Sequence, residues 1–161
     1  MFFKRKMDVD DYCAASLKAL FSTDRESVWE QLRQVCNDPA LSSIERTTYF
    51  NHMRAIMITL TLIAITKNST MGVGSDARFF VLIYTKDHDL SHIEDLASTY
   101  NGVFGSTPQD GIAGIIASFS DQVTDGRLRQ DTMQRLQVEF YAVMKSLFDE
   151  FKSIKLTTKR G

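Results

Sequence analysis

The most apolar stretch of the chain is Ala55–Thr66, about 12 residues without charge, glycine or proline, set between Arg54 and Lys67. Upstream, the amphipathic segment through Ile44, Thr48 and Met53 carries a helical period into it. Together they predict one helix over about 43–67, amphipathic at first and then apolar all round, as expected of a helix buried on every side. Ser42 and Glu45 have capping-box spacing and mark its start. Many of its residues are β-branched, which favours strand. Its length argues for helix, because buried strands run about 4–8 residues.

The remaining segments offer apolar stripes at helical spacing. Val9, Cys13, Leu17 and Leu20 predict a helix over 8–21. Val28, Leu32 and Val35 predict a second, capped by the Thr23/Glu26 pair and stopped at Asn37-Asp38-Pro39. Residues 68–75, with Gly72 and Gly74, read as a loop. Ser75 or Asp76 then caps a segment centred on Phe79–Tyr84, six consecutive apolar residues. Leu90, Ile93, Ala97 and Tyr100 predict a helix over 87–100. Thr107-Pro108 starts another, with Ile112, Ile115, Ile116, Phe119 and Val123 inward and Asp125-Gly126 at its end. Gly111 and Gly114 in that helix cost helical stability and mark close approach of a neighbour or ligand. Met133, Leu136, Phe140, Val143, Leu147, Phe151 and Ile154 define a long C-terminal helix over about 127–155. The ends, 1–6 and 157–161, read as flexible.

These patterns predict a single all-α domain of six or seven helices, with the helices near 43–67 and 127–155 at its centre. The alternative is α+β, with strands at 55–66 and 79–84. At 161 residues the chain is long enough to bury a core without a metal or disulfide. A formal net charge of −1 does not point to nucleic acid. The central apolar run is too short to span a bilayer, which takes about 20 residues. Asp8, Asp10 and Asp11 stand where a signal peptide needs its apolar region. With two cysteines, Cys13 and Cys36, in no ligand or CxxC spacing, a soluble cytoplasmic protein is the expectation. Phe2-Phe3-Lys4-Arg5-Lys6 offers a weak route to peripheral membrane contact.

Candidate chemistry is sparse. His88, His92 and Asp95 would share a face if one helix carried all three, giving a metal half-site. A helix starting at Ser91 would remove that geometry. No serine lies in GxSxG or SxxK, and neither cysteine has an evident basic partner. Adjacent carboxylates such as Glu94-Asp95 point to different sides of a helix, as on a solvated face. No cofactor and no catalytic residue is nominated. The leading expectation is a non-enzymatic module for protein–protein interaction, with a homodimer through the exposed part of the last helix as one form. The alternatives are a binder of a hydrophobic small molecule in a helical cavity, and a metal-dependent enzyme using His88, His92 and Asp95.

Overall fold

A computed structural model describes residues 4–105 and 107–159. The chain runs β1 (Arg5–Asp8), α1 (Val9–Ala19), α2 (Thr23–Cys36), α3 (Pro39–Ser42), α4 (Arg46–Asn68), α5 (Met71–Asp87), α6 (Ser91–Gly102), α7 (Pro108–Thr124), α8 (Gln130–Glu150) and β2 (Ile154–Thr157). It is an all-α bundle, and both segments of the α+β alternative, 55–66 and 79–84, are helical.

The buried central helix is α4. From Tyr49 to Ile65 nearly every side chain is buried, including Ala55, Ile56, Leu60, Ala64 and Ile65 at 0% exposure. Helices α2, α5, α6 and α8 all pack against it. Its β-branched threonines are accommodated as buried helical threonines must be: Thr59 Oγ1 donates to Ala55 O (2.9 Å) and Thr61 Oγ1 to Met57 O (2.8 Å). Thr59 Oγ1 also lies 3.0 Å from Ala97 O, joining α4 to α6. Among the described residues every buried side-chain nitrogen or oxygen has a hydrogen-bond partner.

Several local expectations are corrected. Ser22, not Thr23, caps α2, accepting from Arg25 N. The Ser42/Glu45 box does not form. Pro39–Ser42 is a separate short helix, and α4 starts at Arg46, where both carboxylate oxygens of Glu45 accept from Thr47 N and Thr48 N. The loop expected over 68–75 shrinks to Ser69 and Thr70, because Thr70 caps α5 and both glycines sit in its first turn. A Cβ on Gly74 would lie 3.3 Å from Thr66 Oγ1, so the missing side chain lets α5 lie close on α4. The long last helix ends at Glu150, and Ile154 belongs to a strand.

The ends expected to be flexible are tied together where they are described. Strands β1 and β2 pair in parallel, Arg5 opposite Ile154 and Asp8 opposite Thr157. Lys4 Nζ donates to Phe151 O (2.9 Å) and Arg5 N to Ser153 O (3.0 Å). Behind the ribbon, Leu156 and Phe151 are buried, and the Tyr12 and Phe151 rings lie 5.3 Å apart. Phe2 and Phe3, the apolar half of the candidate membrane contact, lie outside the described residues. No described helix is long and apolar enough to cross a membrane.

Helix α7 starts as predicted, with Thr107 accepting from Asp110 N and Pro108 at the first helical position. It ends at Asp125 and Gly126 in the left-handed region. Its two glycines mark the close approach of a neighbour. A Cβ on Gly111 would fall 2.5 Å from the Phe104 ring, and one on Gly114 would fall 2.5 Å from Val103 O. A ring can swing aside, but a backbone carbonyl cannot do so cheaply. Gly114→Ala is therefore expected to destabilise by roughly 1–3 kcal/mol through overpacking, outweighing about 1 kcal/mol of gained helix propensity. Gly72→Ala, where the added methyl meets open space, is the control and should be neutral or stabilising. Urea denaturation of both variants decides it, and an unshifted midpoint for Gly114→Ala would contradict the packing.

Candidate protein-docking groove

Helix α5 starts at Met71, earlier than the cap expected at Ser75 or Asp76. Val73, Ala77, Val81 and Thr85, four apart, are buried against α1 and α4. The six-residue apolar run therefore cannot be buried as a whole. A helix turns about 100° per residue, so half of such a run must face outward. Phe79 is 65% exposed, Leu82 49% and Ile83 40%. They fall at i, i+3 and i+4, one continuous strip on the outer face.

The strip borders a hollow. Ile58, Thr59 and Leu62 of α4 line it, with Arg78, Phe79, Val81 and Leu82 on the α5 side and Glu94, Ala97, Ser98 and Asn101 on the α6 side. Its volume is about 400 Å³. Arg78 and Asn101 also line an adjoining hollow of about 350 Å³, completed by Ile63, Thr66, Lys67, Phe104 and Gly105. The two share these residues and form one surface groove over α4. Lys67 Nζ sits 5.7 Å from the centre of the Phe104 ring. Ser98 Oγ donates to Glu94 Oε1 (3.1 Å).

The candidate metal residues fall elsewhere. Helix α6 begins at Ser91, so His88 lies before it as the C-cap of α5. The His88 ring stacks on Tyr84, 3.9 Å between centroids, with Nδ1 2.8 Å from Tyr84 O. His92 and Asp95 lie one turn apart on α6 without it. Among the described residues no group of three or more His, Cys, Asp or Glu is placed to hold a metal ion. The third histidine, His52, is buried, its Nδ1 2.7 Å from the Tyr100 hydroxyl and its ring edge-on to Phe119. Burial holds its pKa below the usual histidine value.

Both cysteines are free and buried. Burial raises the pKa of each thiol, that of Cys13 to about 12, which leaves little thiolate at neutral pH. Cys13 borders a void of only about 20 Å³ between α1, α4 and α5. That volume is about one water molecule and far below the roughly 300 Å³ of a small-molecule site.

A second, smaller apolar strip joins Val35 of α2 to Val138 of α8, 58% and 65% exposed, beside Arg135 and Asp131. It includes the part of the last helix that the dimer expectation invoked. Comparison with protein-family models, with curated proteins and with solved structures finds no match to this chain.

Proposed function

We propose that this chain is a non-enzymatic interaction module whose groove over α4 receives an amphipathic helix of a partner protein. The observation that carries the reading is the exposed Phe79, Leu82 and Ile83 strip, contiguous with a hollow floored by Ile58 and Leu62. Contiguous apolar surface beside a groove marks an interaction site, whereas single exposed apolar residues do not. A groove between two helices over a third takes a helix through anchors at i, i+3, i+4 and i+7. The groove is favoured over the α8 strip because Phe79, Leu82 and Ile83 form one strip at i, i+3 and i+4 beside the larger hollow, about 400 Å³ against about 310 Å³. A hydrophobic small molecule is the weaker occupant: the void beside Cys13 holds only about 20 Å³, and the hollow of about 400 Å³ is lined by Arg78, Glu94, Ser98 and Asn101 as well as by apolar side chains.

Site-specific photo-cross-linking tests the reading. A cross-linker in place of Leu82 should capture one discrete partner in extracts of the source cell, and Phe79→Ser in the same chain should abolish the adduct. A cross-linker in place of Val138 should not capture that partner. Equal capture at both positions, or an adduct indifferent to Phe79→Ser, would refute the groove as the docking face.

A further inference from the structure

Resting on that reading, we infer that the partner helix carries an acidic residue that meets Lys67 and Arg78 and a basic residue about two turns away that meets Glu94. The groove has an apolar floor of Ile58, Leu62 and Ile63, with Glu94 at one end and Lys67 at the other. Lys67 lines only the hollow that also holds Phe104, and Glu94 lines only the hollow beside Phe79 and Leu82. Arg78 and Asn101 stand where the two hollows meet. Glu94 and Asn101 are seven positions apart on α6, about 10 Å at 1.5 Å per residue. Seven positions is also the two-turn repeat at which a docked helix presents the same face again.

The groove's charges are not paired with one another. The buried Arg54 is partnered with Glu26, and the half-buried Arg33 with Glu30. Among the described residues Lys67, Arg78 and Glu94 make no ion pair, although Arg78 and Glu94 line the same hollow. Charges flanking an apolar seat select the partner and its register more than they add affinity. An occupant with a carboxylate at the Lys67 end and a cation at the Glu94 end satisfies all three. One with two like charges leaves one end opposed.

Binding of three synthetic helical peptides to the full chain, followed by fluorescence anisotropy and amide chemical shifts, tests the inference. Each is about 16 residues with the same i, i+3, i+4, i+7 apolar stripe. They differ only at two flanking positions seven apart, which carry Lys and Glu, Glu and Glu, or Lys and Lys. The Lys/Glu peptide should bind tightest, by about three- to ten-fold at low salt, with shifts at Arg78, Ala97 and Asn101. The Lys67→Glu/Arg78→Glu chain should instead prefer the Lys/Lys peptide, and Glu94→Lys the Glu/Glu peptide. All three substituted side chains line the surface groove, and circular dichroism confirms that the variants fold. Equal affinities for the three peptides, unchanged by charge reversal but lost in Phe79→Ser, would overturn the charge register and leave the groove standing. No binding of any peptide, with no effect of Phe79→Ser, would overturn both. Tighter binding of dodecyl phosphate than of every peptide would assign the groove to an anionic amphiphile and overturn the inference.

Discussion

Asp38→Ala is expected to lower stability by roughly 3–5 kcal/mol, a fall in thermal midpoint on the order of 10 °C for a domain of this size. Asp38 is 2% exposed and acts on two helices. Its Oδ1 accepts from Ala40 N (2.9 Å), capping α3. Its Oδ2 accepts from Arg129 N (2.9 Å) and from Thr132 Oγ1 (2.7 Å), so it caps α8 across 91 positions of sequence. Arg129, the residue at the α8 cap position, makes no side-chain cap of its own. It donates instead to Cys36 O (2.8 Å). Alanine removes a cap, worth about 1 kcal/mol in simple cases, and strands the buried Thr132 hydroxyl and the Arg129 amide. Asn is no remedy where its amide turns a donor toward those two donors.

The pH dependence carries a sign. Burial alone would raise the Asp38 pKa, but hydrogen bonds from Arg129 N, the Thr132 hydroxyl and Ala40 N outweigh it and hold the value below the ordinary 3.8. The folded state therefore binds the proton less readily than the unfolded chain. The stabilisation is fully present above about pH 4 and fades as pH falls through the lower folded value. The gap between wild type and Asp38→Ala should accordingly narrow in strong acid. Thermal melts at pH 7 and pH 3 check both statements; a variant within about 2 °C of wild type at pH 7 would contradict the cap.

Arg54→Met should cost roughly 2–4 kcal/mol, with the apolar stem retained and only the charge removed. The guanidinium binds in three directions: Nε to Leu20 O (3.1 Å), Nη1 to Asn51 Oδ1 (3.2 Å) and Nη2 to Glu26 Oε2 (2.7 Å). It also stacks 4.4 Å over the Phe21 ring. Leu20 closes α1, Glu26 opens α2 and Arg54 belongs to α4, so a single side chain fixes the corner where three helices meet. The Arg54 side chain is 9% exposed and that of Glu26 28%, which places the pair between a surface bridge and a fully buried one. Arg54→Lys should recover only part of the loss, because one ammonium cannot span three acceptors set in a fork. Wild-type melting of Arg54→Met would show the corner to be held by packing alone.

Neither residue stood out in the sequence, for a physical reason. Arg54 reads as the polar flank of an apolar run, and Asp38 as part of a helix stop; their partners are 28 and 94 positions away. What local pattern could carry, it carried. The central helix, the Thr107-Pro108 start and the glycine contact of α7 all follow from periodicity, capping and backbone chemistry. The ribbon could not be read that way, because pairing Arg5 with Ile154 leaves no trace in either tetrapeptide. Arg-Lys-Met-Asp has no strand pattern, and Ile154 continues the α8 apolar stripe just as well. The exposed strip of α5 was hidden differently. Six consecutive apolar residues look buried until their helix is known to rest on α4 through Ala77, Val81 and Thr85.

The ribbon also determines how the fold meets a mechanical load. Its strands run in the same direction, so the chain enters β1 at the Arg5–Ile154 end of the ribbon and leaves β2 at the Asp8–Thr157 end. Tension between the two ends therefore draws the strands along one another in shear. The rungs between Arg5 and Asp8 and their partners share that tension together instead of opening one by one. The helices behind them feel the pull only after the whole ribbon gives way.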